Sequence, residues 1–211
     1  MQSRIIIMSR SHSSKNTVSQ VSSAETTILL TLLRQVLFQN CPGDVVEFGC
    51  YKGDTSILFQ RELQKTNKTL WLYDSFAGLP EKTREDSSAA GDQFKSGELF
   101  VAKREVIEKF KRQSLPLPKI KKAFFEDLDP DKDLPEKICF AFLDGDLYSS
   151  IKTSFSLLES KMQPGSIIVV HDYNNPELPG SARATDEWLK THSSKIAKLK
   201  TQETLEIIYY I

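Results

Sequence analysis

Four carboxylates stand where apolar runs stop. Glu47 interrupts Val45-Val46-Glu47-Phe48, Asp74 follows Leu70-Trp71-Leu72-Tyr73, Asp144 follows Ile138-Cys139-Phe140-Ala141-Phe142-Leu143, and Asp172 follows Ile167-Ile168-Val169-Val170-His171. Short β-branched and aromatic runs of this kind read as buried strands. In an open parallel sheet such tips share one edge, where ligands bind. Adjacent strands lie about 4.8 Å apart. Carboxylates that close repel unless one is protonated or a cation bridges them. Carboxylate and amide oxygens suit Mg²⁺, which keeps waters that a substrate can displace. Asp144 and Asp172, with one of His171, Asn174 or Asp146, can form such a site. His171 can equally be a packed histidine or a general base near neutral pH. The plainer reading of acidic strand tips is as helix caps and turn formers.

The stretch from Gly43 to Ser56 gives the chemistry a place. A strand stops near Glu47, turns through Gly49 and Gly53, and starts a helix that runs on through Leu63, with Asp54, Thr55 or Ser56 as its cap. The spacing is E-x-G-x-x-x-G. A dinucleotide fingerprint would be G-x-G-x-x-G, so a nicotinamide cofactor is disfavoured. An acidic residue facing the pocket suits a ligand with a positive charge or an amine, and S-adenosylmethionine has both. Asp74, 21 positions after Gly53, fits the acidic tip that holds a ribose hydroxyl pair. Asp144-Gly145-Asp146 is also a D-x-D, which leaves a metal-dependent glycosyltransferase as an alternative. A degenerate cofactor-binding domain without activity is another.

The elements that must position these residues alternate strand and helix. A helix is expected from Ser23, on the spacing of Ile28, Leu29, Leu32, Leu33, Val36 and Leu37. Further helices are expected around Val101 to Phe110, from Ser149 to Lys161 and from about Ala182 to Thr191. A third strand reads as Lys119 to Phe125, Pro164-Gly165 as a turn, and Ile196–Leu199 and Leu205–Ile211 as a closing strand pair. The polar segment 80–98 reads as a surface loop able to border an acceptor site. The fold class is α/β: one doubly wound Rossmann-like domain over residues 23–211, with a mostly parallel sheet and an antiparallel end. Residues 1–22 read as a Ser-rich flexible arm, or as a lid that orders over ligand.

Composition narrows the partners. The 211 residues carry 28 basic and 28 acidic side chains, with no basic block, which disfavours nucleic acid. No run is long enough to span a membrane, and no signal peptide is evident. Cys41, Cys50 and Cys139 have no metal-ligand spacing and read as reduced thiols, so a cytoplasmic protein is expected.

Taken together, these pieces resemble the TylF-type macrocin O-methyltransferase family of S-adenosylmethionine-dependent enzymes. The matching segments are Pro42 to Gly49, Asp74-Ser75-Phe76-Ala77-Gly78-Leu79-Pro80, Asp144-Gly145-Asp146-Leu147-Tyr148, His171-Asp172-Tyr173 and Pro179 to Glu187. The similarity runs from about residue 25 to 192. It implies a seven-stranded sheet and methyl transfer to a hydroxyl of a small sugar, polyol or phenolic acceptor, and it leaves room for a homodimer. Glu47, Phe48, Gly49, Cys50 and Tyr51 would line the methionine end of the cofactor. Asp74, Ser75 and Phe76 would meet the ribose side, and Asp127 would lie near the adenine. Asp144 would contact the cofactor and act as metal ligand or proton acceptor, with His171 as the second candidate base. Asp144, His171 and Asp172 would hold Mg²⁺ or Mn²⁺. Family members carry two adjacent acidic residues where this chain has His171-Asp172.

Overall fold

The computed structural model describes residues 20–211. The arm expected over 1–22 therefore lies almost wholly outside the described residues, as does its reading as a lid. Its last residues do not behave as an arm, since Val21 is buried in the core.

Among the described residues, α1 (Ser23–Phe38) leads into β1 (Asp44–Phe48), α2 (Asp54–Leu63) and β2 (Leu70–Asp74). The chain continues through α3 (Lys103–Arg112), β3 (Lys119–Lys122), α4 (Pro130–Asp133), β4 (Ile138–Leu143), α5 (Tyr148–Leu158), β5 (Met162–Val170), α6 (Pro179–His192), β6 (Ile196–Gln202) and β7 (Leu205–Tyr210). The strands form one seven-stranded sheet in the order β3-β2-β1-β4-β5-β7-β6. Only β7 runs against the rest, pairing antiparallel with both β5 and β6. The order reverses beside β1, which places a crevice between the carboxyl ends of β1 and its neighbours.

Every residue of β4 is buried. That follows from its place between β1 and β5 with helices over both faces, where an unbroken apolar run is tolerated. On one face Leu29, Leu33 and Val36 of α1 and Phe59 of α2 pack with Val45, Leu72, Phe142 and Val169. On the other, Phe155 of α5 and Ala184 of α6 pack with Val46, Tyr73, Leu143 and Val170. The outer strand β3 carries lysines at three of its four positions, which discourages another strand from pairing there.

The register sets the functional edge. Phe48 is paired with Tyr73 and with Leu143, and Leu143 with Val170, so these four form one row across the sheet. One step along the chain, Gly49, Asp74, Asp144 and His171 form the next row, at the carboxyl edge. Side chains alternate faces along a strand. Asp74, Asp144 and His171 therefore share the face of Leu72, Phe142 and Val169, the one covered by α1 and α2. Because α1 precedes β1 and packs back along the sheet, its first turn lies at that same edge.

Several local expectations are corrected. The third strand ends at Lys122, not Phe125; Ala123 N–H donates to the Asp74 carbonyl, and the chain then leaves the sheet in a 3-10 turn at Phe125–Asp127. Phe125 is drawn away by its edge-on contact with Phe48, at 5.3 Å between ring centres. Pro164-Gly165 lies within β5 instead of breaking before it. The short helix α4, with Asp129 as its cap, has no counterpart in the sequence reading.

Candidate active site

The turn after β1 is built around the Asp74 carboxylate. Its Oδ2 accepts the Cys50 and Tyr51 backbone N–H groups, both at 3.0 Å, and its Oδ1 accepts that of Phe76 at 2.7 Å. This clamps the tip of β2 to the β1–α2 turn and leaves the carboxylate on the wall of a pocket. Gly49 has φ +86°, and a Cβ there would lie 2.0 Å from the Asp144 carbonyl oxygen. Only glycine lets the turn pass so close to β4.

The side-chain cap expected for α2 is absent. Gly53 occupies the cap position in a left-handed conformation. Asp54 instead pairs with Lys109, and Ser56 Oγ donates to Glu47 Oε2 at 2.5 Å. Glu47 is 1% exposed, and burial pushes its carboxyl well above the usual range although the Ser56 hydrogen bond opposes this. Burial thus favours the neutral carboxyl, where the sequence reading expects a charge facing the pocket.

Two recesses open on the edge and share Gln20, Tyr51 and Asp144. The larger encloses about 590 Å³, part of it open to solvent, and runs from Asp74 and Ser75 past Phe124, Phe125 and Glu126 to Gly145 and Asp146. The smaller, about 290 Å³, is lined by Glu47, Cys50 and Lys52 among others. Of the residues expected to meet a cofactor, Glu47, Cys50, Tyr51, Asp74, Ser75 and Asp144 line these recesses, and Gly49 forms the turn between them. Three others are placed elsewhere. Phe48 is fully buried against Tyr73, at 4.6 Å between stacked rings, because its pleat faces the α5 side. Phe76 is buried in the core on the α1 side. Asp127 is exposed and lines neither recess, while its neighbours Phe124, Phe125 and Glu126 do.

At the β4–β5 end of the edge, His171 Nδ1 lies 2.8 Å from Asp144 Oδ1 and 2.9 Å from Asp172 Oδ2. Asp172, in a left-handed turn conformation, returns its side chain to the group while its Oδ1 accepts from Asn175 Nδ2 at 2.8 Å. His171 is 5% exposed, yet neither ring nitrogen has a partner in hydrogen-bonding geometry. The two aspartate oxygens flank Nδ1 off the direction in which it could donate. One ligand atom from each of Asp144, His171 and Asp172 lies within 4.8 Å of the others. An octahedral ion at about 2.1 Å from its ligands sets neighbouring ligand atoms about 3 Å apart. The observed spacing and the orphaned buried nitrogen fit a divalent cation.

Burial disfavours the His171 imidazolium, but the charge of Asp144 and contacts with Asp144, Asp172 and Glu25 outweigh it and move the ring well above its usual range. Burial raises Asp144, opposed by His171. Asp146 is raised well above its usual range, by burial first and then by the charges of Asp144 and Asp172. Asp146 lines the larger recess but is not part of the three-residue cation-spaced group.

One neighbour of this group has no sequence signal as a site residue. Glu25, in the first turn of α1, places Oε2 3.7 Å from His171 Nε2.

A crossover fold with its acidic edge at the β1/β4 switch point is that of the Rossmann-like methyltransferases. Among solved structures, the O-methyltransferase NovP superposes with a TM-score of 0.74 at 25% identity, covering 88% of this chain and 78% of that one. The calicheamicin methyltransferase CalS11 gives 0.71 at 20% identity, covering 90% and 80%. The macrocin-O-methyltransferase (TylF) family model matches residues 15–202, and the chain belongs to that family. Curated relatives include 8-demethyl-8-(2,3-dimethoxy-alpha-L-rhamnosyl)-tetracenomycin-C 4'-O-methyltransferase of Streptomyces olivaceus, 31% identical over 65% of this chain. Demethyldecarbamoylnovobiocin O-methyltransferase of Streptomyces niveus is 29% identical over 67% of it. The match spans 56% of the length of each of these two relatives.

Proposed function

We propose that this protein transfers the methyl group of S-adenosylmethionine to a hydroxyl of a small acceptor, assisted by a divalent cation. The observation that carries the reading is the shared wall: Asp144 lines the recess that begins at Asp74 and also belongs to the cation-spaced group. A donor site and a cation site then meet at one carboxylate.

Asp74 keeps acceptor capacity on Oδ1, which takes a single N–H, and so can receive a ribose hydroxyl. Phe124 and Phe125 offer apolar walls for a purine, with Glu126 at the rim. Glu47, close to the positive end of α2, can release its proton to meet an ammonium or sulfonium charge. Asp144, His171 and Asp172 would hold Mg²⁺ or Mn²⁺, which when bound lowers the pKa of a coordinated hydroxyl. Asp144 then accepts the acceptor's proton as the new oxygen–carbon bond forms and the carbon–sulfur bond breaks. The pocket's contribution is alignment of the reacting atoms, which supplies much of the rate.

Relatives support a glycosylated natural product as acceptor: the first is named for a rhamnosyl tetracenomycin. The loop 80–98, whose Pro80 lines the larger recess, would border that acceptor site. The domain is taken as 23–211. Three buried free cysteines accord with a reducing cytoplasmic setting, and among the described residues no helix is long and apolar enough to cross a membrane.

The test is incubation with methyl-labelled S-adenosylmethionine, a panel of glycosylated aromatics and macrolides, and either Mg²⁺ or EDTA. Label appearing on an acceptor hydroxyl, and falling on chelation, is the expected result. Failure of S-adenosylhomocysteine to bind by calorimetry would sink the proposal.

A further inference from the structure

We propose that Glu25 is a positioning residue: it holds the His171 ring with its proton on Nε2, so that the Nδ1 lone pair faces Asp144 and Asp172 as a metal ligand. The inference rests on the cation reading of that group and deepens it.

Glu25 is 4% exposed. It is fixed from two sides besides the histidine. Ser22 N–H donates to Oε2 at 2.8 Å while Ser22 Oγ accepts from Glu25 N–H at 3.2 Å, a reciprocal helix cap. Thr204 Oγ1, from the turn between β6 and β7, donates to Oε1. Among the described residues, His171 is the one cationic side chain within ion-pair distance of it. A buried ionised carboxylate needs such a partner.

The two ring nitrogens therefore face opposite surroundings. Nδ1 looks between two aspartate oxygens at 2.8 and 2.9 Å, and Nε2 looks toward one glutamate oxygen at 3.7 Å. A neutral imidazole carries one proton, and the nitrogen that ligates must be the other one. Metal-bound histidines donate their second N–H to a carboxylate or carbonyl, which fixes the tautomer and raises ligand basicity. The 3.7 Å gap needs only a small ring movement to become a hydrogen bond. The sheet register explains why α1 supplies this partner: His171 faces the α1 side, and the first turn of α1 lies at the carboxyl edge.

Glu25→Gln is the informative variant, because glutamine can keep the cap and the Thr204 contact while losing the charge. Mn²⁺ binding would be read by electron paramagnetic resonance in wild type, Glu25→Gln and Thr204→Val. The state of His171 would be read by long-range ¹H–¹⁵N NMR with diamagnetic Cd²⁺ bound. Glu25→Gln is expected to weaken Mn²⁺ by roughly 10- to 100-fold, as outer-sphere partners of metal-bound histidines do. S-adenosylhomocysteine affinity should stay within about twofold, since no residue of α1 lines either recess and only Gln20 and Val21, ahead of the helix, do. Thr204→Val, which loosens Glu25 without touching the ring, should weaken Mn²⁺ in the same direction and by less. Wild-type His171 should carry its proton on Nε2. Equal Mn²⁺ affinity in wild type and both variants, or a proton on Nδ1 in the loaded protein, would overturn the role of Glu25 and leave the cation reading standing. Absence of Mn²⁺ binding in the wild type would instead bring down the cation reading and this inference with it.

Discussion

In the proposed mechanism Asp144 is the side chain on which both halves of the chemistry meet, and its removal should separate them. Asp144→Asn is expected to lower methyl transfer by roughly 10²- to 10⁴-fold, the range for a lost acid–base group. Donor binding, measured by calorimetry with S-adenosylhomocysteine, should change little. His171 adds a pH signature. Neighbouring carboxylates move its ring well above the usual range, which favours a proton on Nδ1, the atom proposed to bind the cation, when no cation is present. Metal binding must displace that proton. Apparent Mn²⁺ affinity should therefore rise between about pH 6 and about pH 8, and a flat profile in buffered titrations would contradict this. Glu25 works in the other direction. Its carboxyl is held well below 4.5, the His171 contact being the largest cause. A depressed acid contributes stability above its ordinary pKa and loses it as pH falls through the folded value. Thermal melts of Glu25→Gln should show a shallower loss of stability below pH 4.5 than the wild type. At this scale the acidic tips were legible, because aspartates after apolar runs announce strand ends. Glu25 was not. Ser22-Ser23-Ala24-Glu25 reads as an ordinary capping box, and nothing local says that its carboxylate meets a residue 146 positions later.

At the scale of elements, the site depends on two close approaches. Gly49 lets the β1–α2 turn ride against the Asp144 carbonyl. Gly49→Ala combines a strained left-handed φ with a direct clash, and should cost about 1–3 kcal/mol or more in urea unfolding. The second approach is the buried carboxylate of Asp86. Its Oδ2 accepts Thr83 N–H and Thr83 Oγ1–H at 2.8 and 2.9 Å, and its Oδ1 accepts Tyr148 N–H at 2.7 Å. The loop 80–98 thereby caps the start of α5, whose own cap residue Leu147 has no side-chain oxygen to offer. Asp86→Ala leaves buried N–H groups unpaired and should destabilise by about 1–3 kcal/mol. Limited proteolysis should then cut within 87–99 faster than in the wild type; unchanged cleavage would remove Asp86 as the anchor. The sequence showed this segment only as polar and turn-rich. Asp86 looked like any surface aspartate, and its burial becomes visible only when Gly180 of α6 is seen packed against it. The early end of β3 was hidden for a similar reason. Ala123-Phe124-Phe125 has good strand propensity, and a tertiary contact with Phe48 overrode it.

For the whole molecule, alternating strand and helix patterns were enough to give a doubly wound sheet, and the unbroken apolar run of β4 marked its centre. The pocket walls were less legible because many of them come from segments between the main elements, at Leu79, Phe124 to Glu126 and Gly145-Asp146. Such residues carry no periodicity, and only the closed fold brings them together. Membership of the macrocin-O-methyltransferase family and the arrangement of the edge point the same way. What the account asserts above all is adjacency: a sulfonium donor on the Asp74 side of Asp144 and a divalent cation on its His171 side. Paramagnetic relaxation of the S-adenosylmethionine methyl protons by bound Mn²⁺ measures that adjacency directly. Strong relaxation in the wild type, lost in Asp144→Asn while the donor still binds, is the predicted result. Methyl protons that relax no faster with Mn²⁺ bound than without it would contradict the account.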